Sequence, residues 1–308
     1  MKHPRLPSRG AALLAALLVV SLVAMLAAGA AWQQWRTVEI ESMERQQSQA
    51  RWLLLGALDW ARLILREDDR SGNANAPTDH LAEPWAIPLQ EARLSTFLSG
   101  NAEDNLAQQV FLSGQIKDLQ ARLNVANLLQ GDQIDSPTWQ AFARLFDVLG
   151  LPPTQLARLT QGLLAAQQSK EGTSTPMPQR VSQLAWLGVT PATLQTLAPY
   201  ITLLPVRTPV NLNTASPLVL YASVPGLSLS DAQRLSEQRN QNPWSSLNAF
   251  QTAADHPISL EGTHSVYTRF FEVTGRLRMP ATTLEERSVV QRDPTDVKVL
   301  WRETGSLQ

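Results

Sequence analysis

A long uncharged apolar run near the amino terminus constrains this chain more than any other feature. Ala11 to Trp35 is a stretch of 25 residues without Asp, Glu, Lys or Arg, made mostly of Ala, Leu and Val. Exposing that much apolar surface to water is unfavourable. A helix rising about 1.5 Å per residue over this length can cross the roughly 30 Å hydrocarbon core of a bilayer. We therefore predict a membrane-spanning helix over about 11–35.

Charged residues determine the orientation predicted for this helix. Residues 1–10 contain three basic residues and no acid. Basic residues that precede a span stay in the cytoplasm, so the chain after about residue 36 is expected outside it. Trp32 and Trp35 follow where aromatic side chains anchor a helix at the far membrane surface.

Three interpretations of this segment stay open. It could be a cleaved signal peptide, with the small residues Ala28 and Ala30 at the cleavage pattern, although the apolar run is longer than usual. It could be a plain single-span anchor. The third interpretation is based on the junction Gly10-Ala11, where a short basic leader ending in Gly meets the apolar helix. This junction resembles the type IV prepilin and pseudopilin leader, which implies that a membrane peptidase cuts after Gly10 and methylates Ala11.

Ala15 departs from that family's pattern. The fifth mature residue is typically Glu, which pairs with a neighbour's terminal amine, and the first is typically Phe where this chain has Ala11. Placing a carboxylate in lipid is energetically unfavourable, so a carboxylate is retained there only where a partner group neutralises it. A subunit with no subunit ahead of it has no amine to neutralise, so Ala15 predicts a filament end.

The helix is expected to continue beyond the membrane. From residue 38 to residue 65 there is no Pro, the one Gly is Gly56, and apolar residues recur at helical spacing. We predict a helix over 11–66, followed by a polar solvated loop over 67–80. That loop begins like a calcium loop but has Ala74 and His80 where Gly and Glu are needed.

Strand patterns on either side of a helical block predict the remaining fold. Residues 110–116 precede the block as a strand, and the tail alternates as strands after it. The tail strands are predicted at 264–277, 288–292 and 297–302. The block is predicted to contain helices at 136–149, 155–168, 181–186 and 191–197, with a Ser/Thr/Pro-rich linker at 169–180. The fold class is therefore α+β, with an antiparallel sheet built from 67–130 and 256–308 and an α-helical domain inserted at 131–255.

Two motifs, one just before this block and one within it, suggest a family. The segment 118–128 follows a strand and resembles the signature of the type II secretion K proteins. Asn124 and Asn127 are expected to hydrogen-bond the nearby backbone and shape a turn. Asn211 to Ser216 opens a helix-hairpin-helix-like pattern over 209–250.

The helix-hairpin-helix pattern raises an alternative function, a membrane-anchored DNA-binding or DNA-uptake protein. Nucleic-acid sites need a basic footprint, yet the whole chain has a formal charge of -1. Near the hairpin, Arg234 and Arg239 are accompanied by Asp231 and Glu237. Nucleic acid is therefore not an expected partner.

No chemistry-bearing motif is apparent. The chain has no Cys and four His, none at the i, i+4 spacing of a helical metal site. K proteins of this family are associated with bound calcium in the helical domain. Between Asp147 and Asp231 the one acid is Glu171, so that site and any other cofactor are not expected. We predict no enzyme activity.

The ordered set of features resembles the minor pseudopilin K of type II secretion over nearly the whole chain. The resemblance implies a pseudopilin fold and a single-pass inner-membrane protein whose C-terminal domain lies in the periplasm. It implies a cap at the tip of the pseudopilus, bound to minor pseudopilins I and J. Prepilin peptidase, the inner-membrane assembly platform and secreted exoproteins are the other implied partners.

Overall fold

The computed structural model describes residues 9–71, 77–97, 109–168, 176–255, 259–280 and 282–307. The chain divides into two compact units, Met1–Leu55 and Gly56–Gln308. Most of the leader predicted over 1–10 and the first part of the linker predicted over 169–180 lie outside the described residues.

The first unit is dominated by helix α1. α1 is continuous over Arg9–Ser71, a few residues longer than predicted at each end. Every side chain over 11–49 is exposed, and the helix is long and apolar enough to cross a membrane. Ala and Leu favour the helix here because they lose little side-chain freedom in it.

Shorter helices build the insertion in the middle of the chain. They are α2 (Ser136–Val148), α3 (Pro153–Gln168), α4 (Pro191–Leu197), α5 (Pro217–Ser223), α6 (Leu229–Gln241) and α7 (Leu247–Ala254). Most begin at a side-chain oxygen that accepts a hydrogen bond from a first-turn N–H, an interaction that stabilises a helix by about 1 kcal/mol. These capping residues are Asp135, Thr190, Ser216, Ser228 and Ser246.

The short helix predicted over 181–186 is a 3-10 helix, Val181–Leu187. Its buried side chains are Leu184 and Leu187. Residues three apart share one face when there are three residues per turn, so the tighter helix buries both. Gly162 of α3 passes so close that an added Cβ would lie 2.8 Å from the Cβ of Leu187.

The apolar faces of these helices share one core. Burial on this scale supplies the main driving force for folding the insertion. The fully buried members at its centre include Phe142, Leu145, Leu159, Leu184, Leu197, Leu220, Leu235 and Phe250.

A five-stranded antiparallel sheet flanks the insertion. In sheet order its strands are β1 (Leu89–Arg93), β2 (Phe111–Asp118), β9 (Phe270–Arg278), β10 (Thr283–Asp293) and β11 (Asp296–Leu307). Three short pairs lie between them in sequence: β3 (Leu123–Asn124) with β6 (Ile201–Thr202), β4 (Leu129–Gln130) with β5 (Gln133–Ile134), and β7 (Val210–Asn211) with β8 (His264–Ser265).

The strand predicted over 264–277 is wrong as a single strand. β8 pairs with β7, whereas β9 joins the large sheet. Between them, the N–H of Thr268 donates to the Asp79 carboxylate and that of Arg269 donates to the side chain of Gln120. These side chains replace a ladder partner and so interrupt the strand.

Within the second unit, α1 ends against the sheet. Leu58, Ala61 and Leu65 recur at helical spacing and are buried. Arg62 Nε donates to the carbonyl of Val297 in β11 at 2.7 Å. The last turns of α1 are therefore fixed to the sheet by an apolar face and a hydrogen bond.

Candidate functional site

The residues predicted for processing and anchoring lie along the first unit. Gly10 and Ala11 lie in the first turn of α1. Ala15 is exposed farther along, as are Trp32 and Trp35, whose ring centroids are 5.6 Å apart. Their roles stay predictions.

A buried polar cluster joins the sheet to the helical insertion. Its centre is Asp118, the last residue of β2. One carboxylate oxygen accepts hydrogen bonds from the Thr214 hydroxyl at 2.5 Å and the Asn211 amide at 3.0 Å. The other accepts from the Thr268 hydroxyl at 2.7 Å and the N–H of Gln120 at 2.6 Å. Asp118 thus binds the insertion and the start of β9 together.

The electrostatics of Asp118 follow from its burial. Burial raises the pKa of Asp118 to about 6, against the opposing effect of hydrogen bonds from Thr214 and Thr268. Four donors surround its two oxygens. A protonated carboxyl would bring a fifth hydrogen toward them, so these donors favour the carboxylate.

A buried ion pair lies next to this carboxylate. Arg292 Nη2 lies 2.6 Å from each carboxylate oxygen of Asp79, and Arg292 Nη1 donates to Asp68 at 3.0 Å. Burial lowers the pKa of Arg292, but the charge and hydrogen bond of Asp79 outweigh it and raise that pKa. Thr268 connects the two acids, because its N–H donates to Asp79 and its hydroxyl to Asp118.

This ion pair was not predicted from the sequence. Residues 67–80 were expected to form a solvated loop, whereas α1 continues to Ser71 and Asp79 is 1% exposed. The polar composition of the segment gave no sign of burial. A signal does exist in β10, where Ser288, Val290 and Arg292 alternate on one buried face. An Arg at an inward position needs a buried acid.

The Asn211 motif supplies the insertion's side of the junction. Asn211 accepts Asn213 N–H on its side-chain oxygen, and its amide also donates to the Asp79 carbonyl at 3.1 Å. Asn213 makes two hydrogen bonds with the backbone of Trp244, at 2.8 and 3.0 Å. Asn211 therefore attaches the hairpin unit to the sheet, and Asn213 connects the two ends of that unit through Trp244.

Asn124 makes the local turn contact predicted for it, whereas Asn127 bonds a distant segment instead. Asn124 accepts the N–H of Ala126, which is the expected local turn contact. It also donates to Val206 at 2.8 Å, while Asn127 makes paired hydrogen bonds with the backbone of Thr208 at 2.7 and 3.0 Å. Both side chains therefore fix a distant segment, which the sequence analysis did not anticipate.

Three carboxylates lie beside the junction. Oxygens of Asp68, Asp79 and Glu83 all lie within 4.8 Å of one another, which is close enough to hold a cation. The Arg292 guanidinium already binds two of them. Burial raises the pKa of Glu83 to about 7, and its carboxylate accepts the Trp85 indole N–H at 2.6 Å. Arg292 therefore offsets one of the three negative charges, and the raised pKa of Glu83 reduces another near neutral pH.

The hairpin unit does not present a phosphate site. Ser228 caps α6, and its hydroxyl lies 2.5 Å from the Asp231 carboxylate, which occupies the helix start where an anion would bind. Arg234 pairs with Asp231 at 3.3 Å. Arg239 is buried and donates to the Leu212 carbonyl at 2.6 Å. Arg239 is therefore unavailable to a nucleic-acid backbone, and Asp231 offsets the charge of the exposed Arg234, so this geometry does not favour DNA binding.

The sequence matches one protein family in two adjoining pieces. Both family models are described as type II secretion system (T2SS), protein K, and they match residues 121–206 and 210–261. These pieces contain the Asn124 and Asn211 motifs.

Curated relatives match over nearly the whole chain. Type II secretion system protein K of Pseudomonas aeruginosa is 26% identical, with 96% of this chain and 92% of that protein aligned. The protein of the same description from Klebsiella pneumoniae is 29% identical, with 96% of each aligned.

A solved structure shares the fold. The crystal structure of the GspK-GspI-GspJ complex from the enterotoxigenic Escherichia coli type 2 secretion system contains a chain that matches with a TM-score of 0.65 at 20% identity. The match covers 85% of this chain and 98% of that chain. The predicted α+β pseudopilin fold, with a long N-terminal helix, an antiparallel sheet and a large helical insertion, is confirmed.

Proposed function

Since the chain belongs to the type II secretion system protein K family, we propose that it is a minor pseudopilin that caps the tip of the periplasmic pseudopilus. In this role it helps to initiate pseudopilus assembly and the export of folded proteins. It catalyses no reaction and needs no cofactor or nucleic acid.

The observation that carries this proposal is the Asp118 junction. A cap must resist the force from the subunits beneath it as one rigid body. An insertion joined to the sheet by two flexible chain crossings would instead move relative to the sheet. Here Asp118, Asn211, Thr214 and Thr268 join both crossings by buried hydrogen bonds. Such bonds exchange poorly with water, so the insertion and the sheet move together.

Ala15 supports the position at the filament end. The carboxylate found at this position in other pseudopilins is costly in lipid unless an amine neutralises it. A cap has no subunit above it to supply that amine. The uncharged run over 11–35 is therefore the composition expected of the first subunit.

The proposed partners and location follow from the same role. Prepilin peptidase cleaves after Gly10 and methylates Ala11. The mature chain crosses the inner membrane once, with Trp32 and Trp35 at the periplasmic surface. It assembles with minor pseudopilins I and J on the inner-membrane assembly platform and contacts secreted exoproteins.

Mass spectrometry of the mature amino terminus tests the processing step. We expect a methylated start at Ala11 in membranes that contain prepilin peptidase, and an intact leader in a peptidase-deficient strain. A start near Ala31 in both strains would identify a cleaved signal peptide and overturn the proposal.

Ala15→Glu tests the filament-end position, with Ala16→Glu as the matched control. Both substitutions place the same charge in the membrane at nearly the same depth, so their insertion costs are similar. We expect Ala15→Glu to change the number and length of pseudopili with processing intact, beyond any change in Ala16→Glu. Equal pseudopili in the two variants would contradict the tip argument.

A further inference from the structure

A cleft separates the outer face of the sheet from the helical insertion. It has a volume of about 380 Å³ and lies within the second unit. This size is in the range of ligand-binding clefts. Its floor is apolar, because Leu119 and Val289 are buried in a small core against which the half-buried Trp301 packs.

Three guanidinium groups reach the cleft from separate elements. Arg122 comes from the segment after β2, Arg180 from the start of the 3-10 helix, and Arg287 from β10. Two acids, Glu272 and Glu303, also line it. The charge of the lining is therefore positive, and the arginines are spread around an apolar floor.

These arginines are unequally neutralised. Arg180 lies 3.3 Å from Glu303 and stacks over Trp301 at 4.7 Å. Arg287 is 3.8 Å from each of its two nearest acids, Glu272 and Glu285, which is too long for a hydrogen bond. Arg122 makes no ion pair within the described parts of the chain. Arg122 and Arg287 therefore retain N–H donors for an incoming group.

The shape of the cleft favours an extended chain as its occupant. Trp301 and Glu303 belong to β11, the outermost strand of the five-stranded sheet. A segment can enter across this side without meeting another strand of that sheet. Arg and Trp, which line the cleft here, are the side chains that most often dominate binding energy at protein interfaces.

We propose that this cleft binds an extended acidic peptide segment of another protein. Carboxylates of the segment pair with Arg122 and Arg287, since the planar guanidinium fork matches a carboxylate. An apolar side chain two residues along the segment, and so on the same face, packs on Val289 and Trp301. The proposal does not depend on the pseudopilus role.

The test uses the full chain in detergent micelles and a dye-labelled peptide of eight residues. The peptide repeats two valines followed by two glutamates, so that each face of the extended peptide carries both side chains. The comparison peptide has glutamine in place of every glutamate. At low salt we expect fluorescence anisotropy to show about tenfold tighter binding of the glutamate peptide, because hydrogen bonds to charged groups are the stronger ones. Salt should reduce the difference.

Variants locate the site. Arg122→Gln and Arg287→Gln are each expected to weaken glutamate-peptide binding about tenfold. Arg122→Lys keeps the charge without the fork and should fall between wild type and Arg122→Gln. The matched control is Arg278→Gln, since Arg278 lies in β9, pairs with Glu91 and does not line the cleft.

Each possible outcome either supports the proposal or overturns it. Selective binding that is lost in Arg122→Gln and kept in Arg278→Gln supports the proposal. Absence of saturable binding up to roughly 1 mM peptide would overturn it. So would equal affinity for the two peptides, or equal losses in Arg278→Gln and Arg122→Gln. Because Arg122 lies outside the large sheet, its variants remain informative if Arg287→Gln fails to fold.

Discussion

The membrane segment over 11–35 and the Asp118 junction are both kept from water, but their side chains suit that environment in opposite ways. The membrane segment has no charged residue and leaves all its side chains exposed for a uniform apolar surrounding. The junction gathers carboxylates, a guanidinium and amides inside the protein and pairs them with one another. A helix in lipid satisfies its own backbone and needs only apolar side chains. A buried polar group needs a specific partner.

This contrast explains how each region tolerates change. In the membrane segment one apolar residue can replace another, because lipid has no fixed geometry. In the junction each donor lies at a set distance from its acceptors, so a lost atom leaves a buried partner unsatisfied. The largest effects are therefore expected when an apolar residue replaces a charged one in the junction, or a charged residue replaces an apolar one in the membrane segment.

Arg292→Met is expected to have the largest effect on stability. It leaves Asp79 and Asp68 buried without their cation, which should lower the free energy of unfolding by about 3–5 kcal/mol. Denaturant unfolding of the full chain in detergent measures it. Arg276→Met, which breaks an exposed pair with Glu285, should cost less than about 1 kcal/mol. Similar costs in the two variants would mean that the junction is not a buried ion pair.

Leu22→Arg places a charge in the middle of the membrane segment. It should disfavour insertion by about 3 kcal/mol and reduce the fraction of the chain that resists alkaline extraction from membranes. The control is Gln34→Arg, near the end of the segment, where the long side chain can reach the interface. Full retention of Leu22→Arg would show that 11–35 does not span the bilayer.

Asp118→Asn keeps the shape of the side chain and removes its charge. The new NH₂ faces hydroxyl or amide donors that the carboxylate accepted, so unfolding free energy should fall by about 2–3 kcal/mol. The exposed Asp132 gives the control, Asp132→Asn, for which we expect a change within about 0.5 kcal/mol. Hydrogen exchange of the amide of Gln120 should accelerate only in Asp118→Asn. Unchanged exchange would contradict the role of Asp118 as the centre of the junction.

The smallest of these effects is the contribution of His264 to the pH dependence of folding stability. Burial, with a contribution from the charge of Arg144, lowers the pKa of His264 to about 4 from its ordinary 6.5. The unfolded chain then takes up the proton first, so stability is lost as pH falls through 6.5 toward 4. Near pH 5.5 this loss is about 1 kcal/mol.

His264→Gln should remove that loss, which appears as a shallower fall in stability between neutral and mildly acidic pH. Asp118 acts with the opposite sign, since its raised pKa lets the folded chain bind a proton first below about 6. The comparison must therefore be between variants and not of wild type alone. Parallel pH profiles for wild type and His264→Gln would show that the pKa of His264 is not lowered in the folded chain.

The sequence predicted those parts of the candidate site that use local contacts. Asn124 was expected to cap a turn, and it does so at Ala126. The long-range bonds of Asn124 and Asn127 to the segment near Thr208 were not predictable, because the segments lie about 80 residues apart. Asp79 was missed for the same reason, since its partner Arg292 is 213 residues away.

The sequence by itself determined the apolar span, the α+β class and most helix starts. Each depends on periodicity, composition or a capping side chain within a few residues. The tertiary structure alone decided which polar residues are buried together. Burying a charge is favourable only when a partner is brought to it, and Asp118, Asp79 and Arg292 meet only after the strands have paired around the insertion.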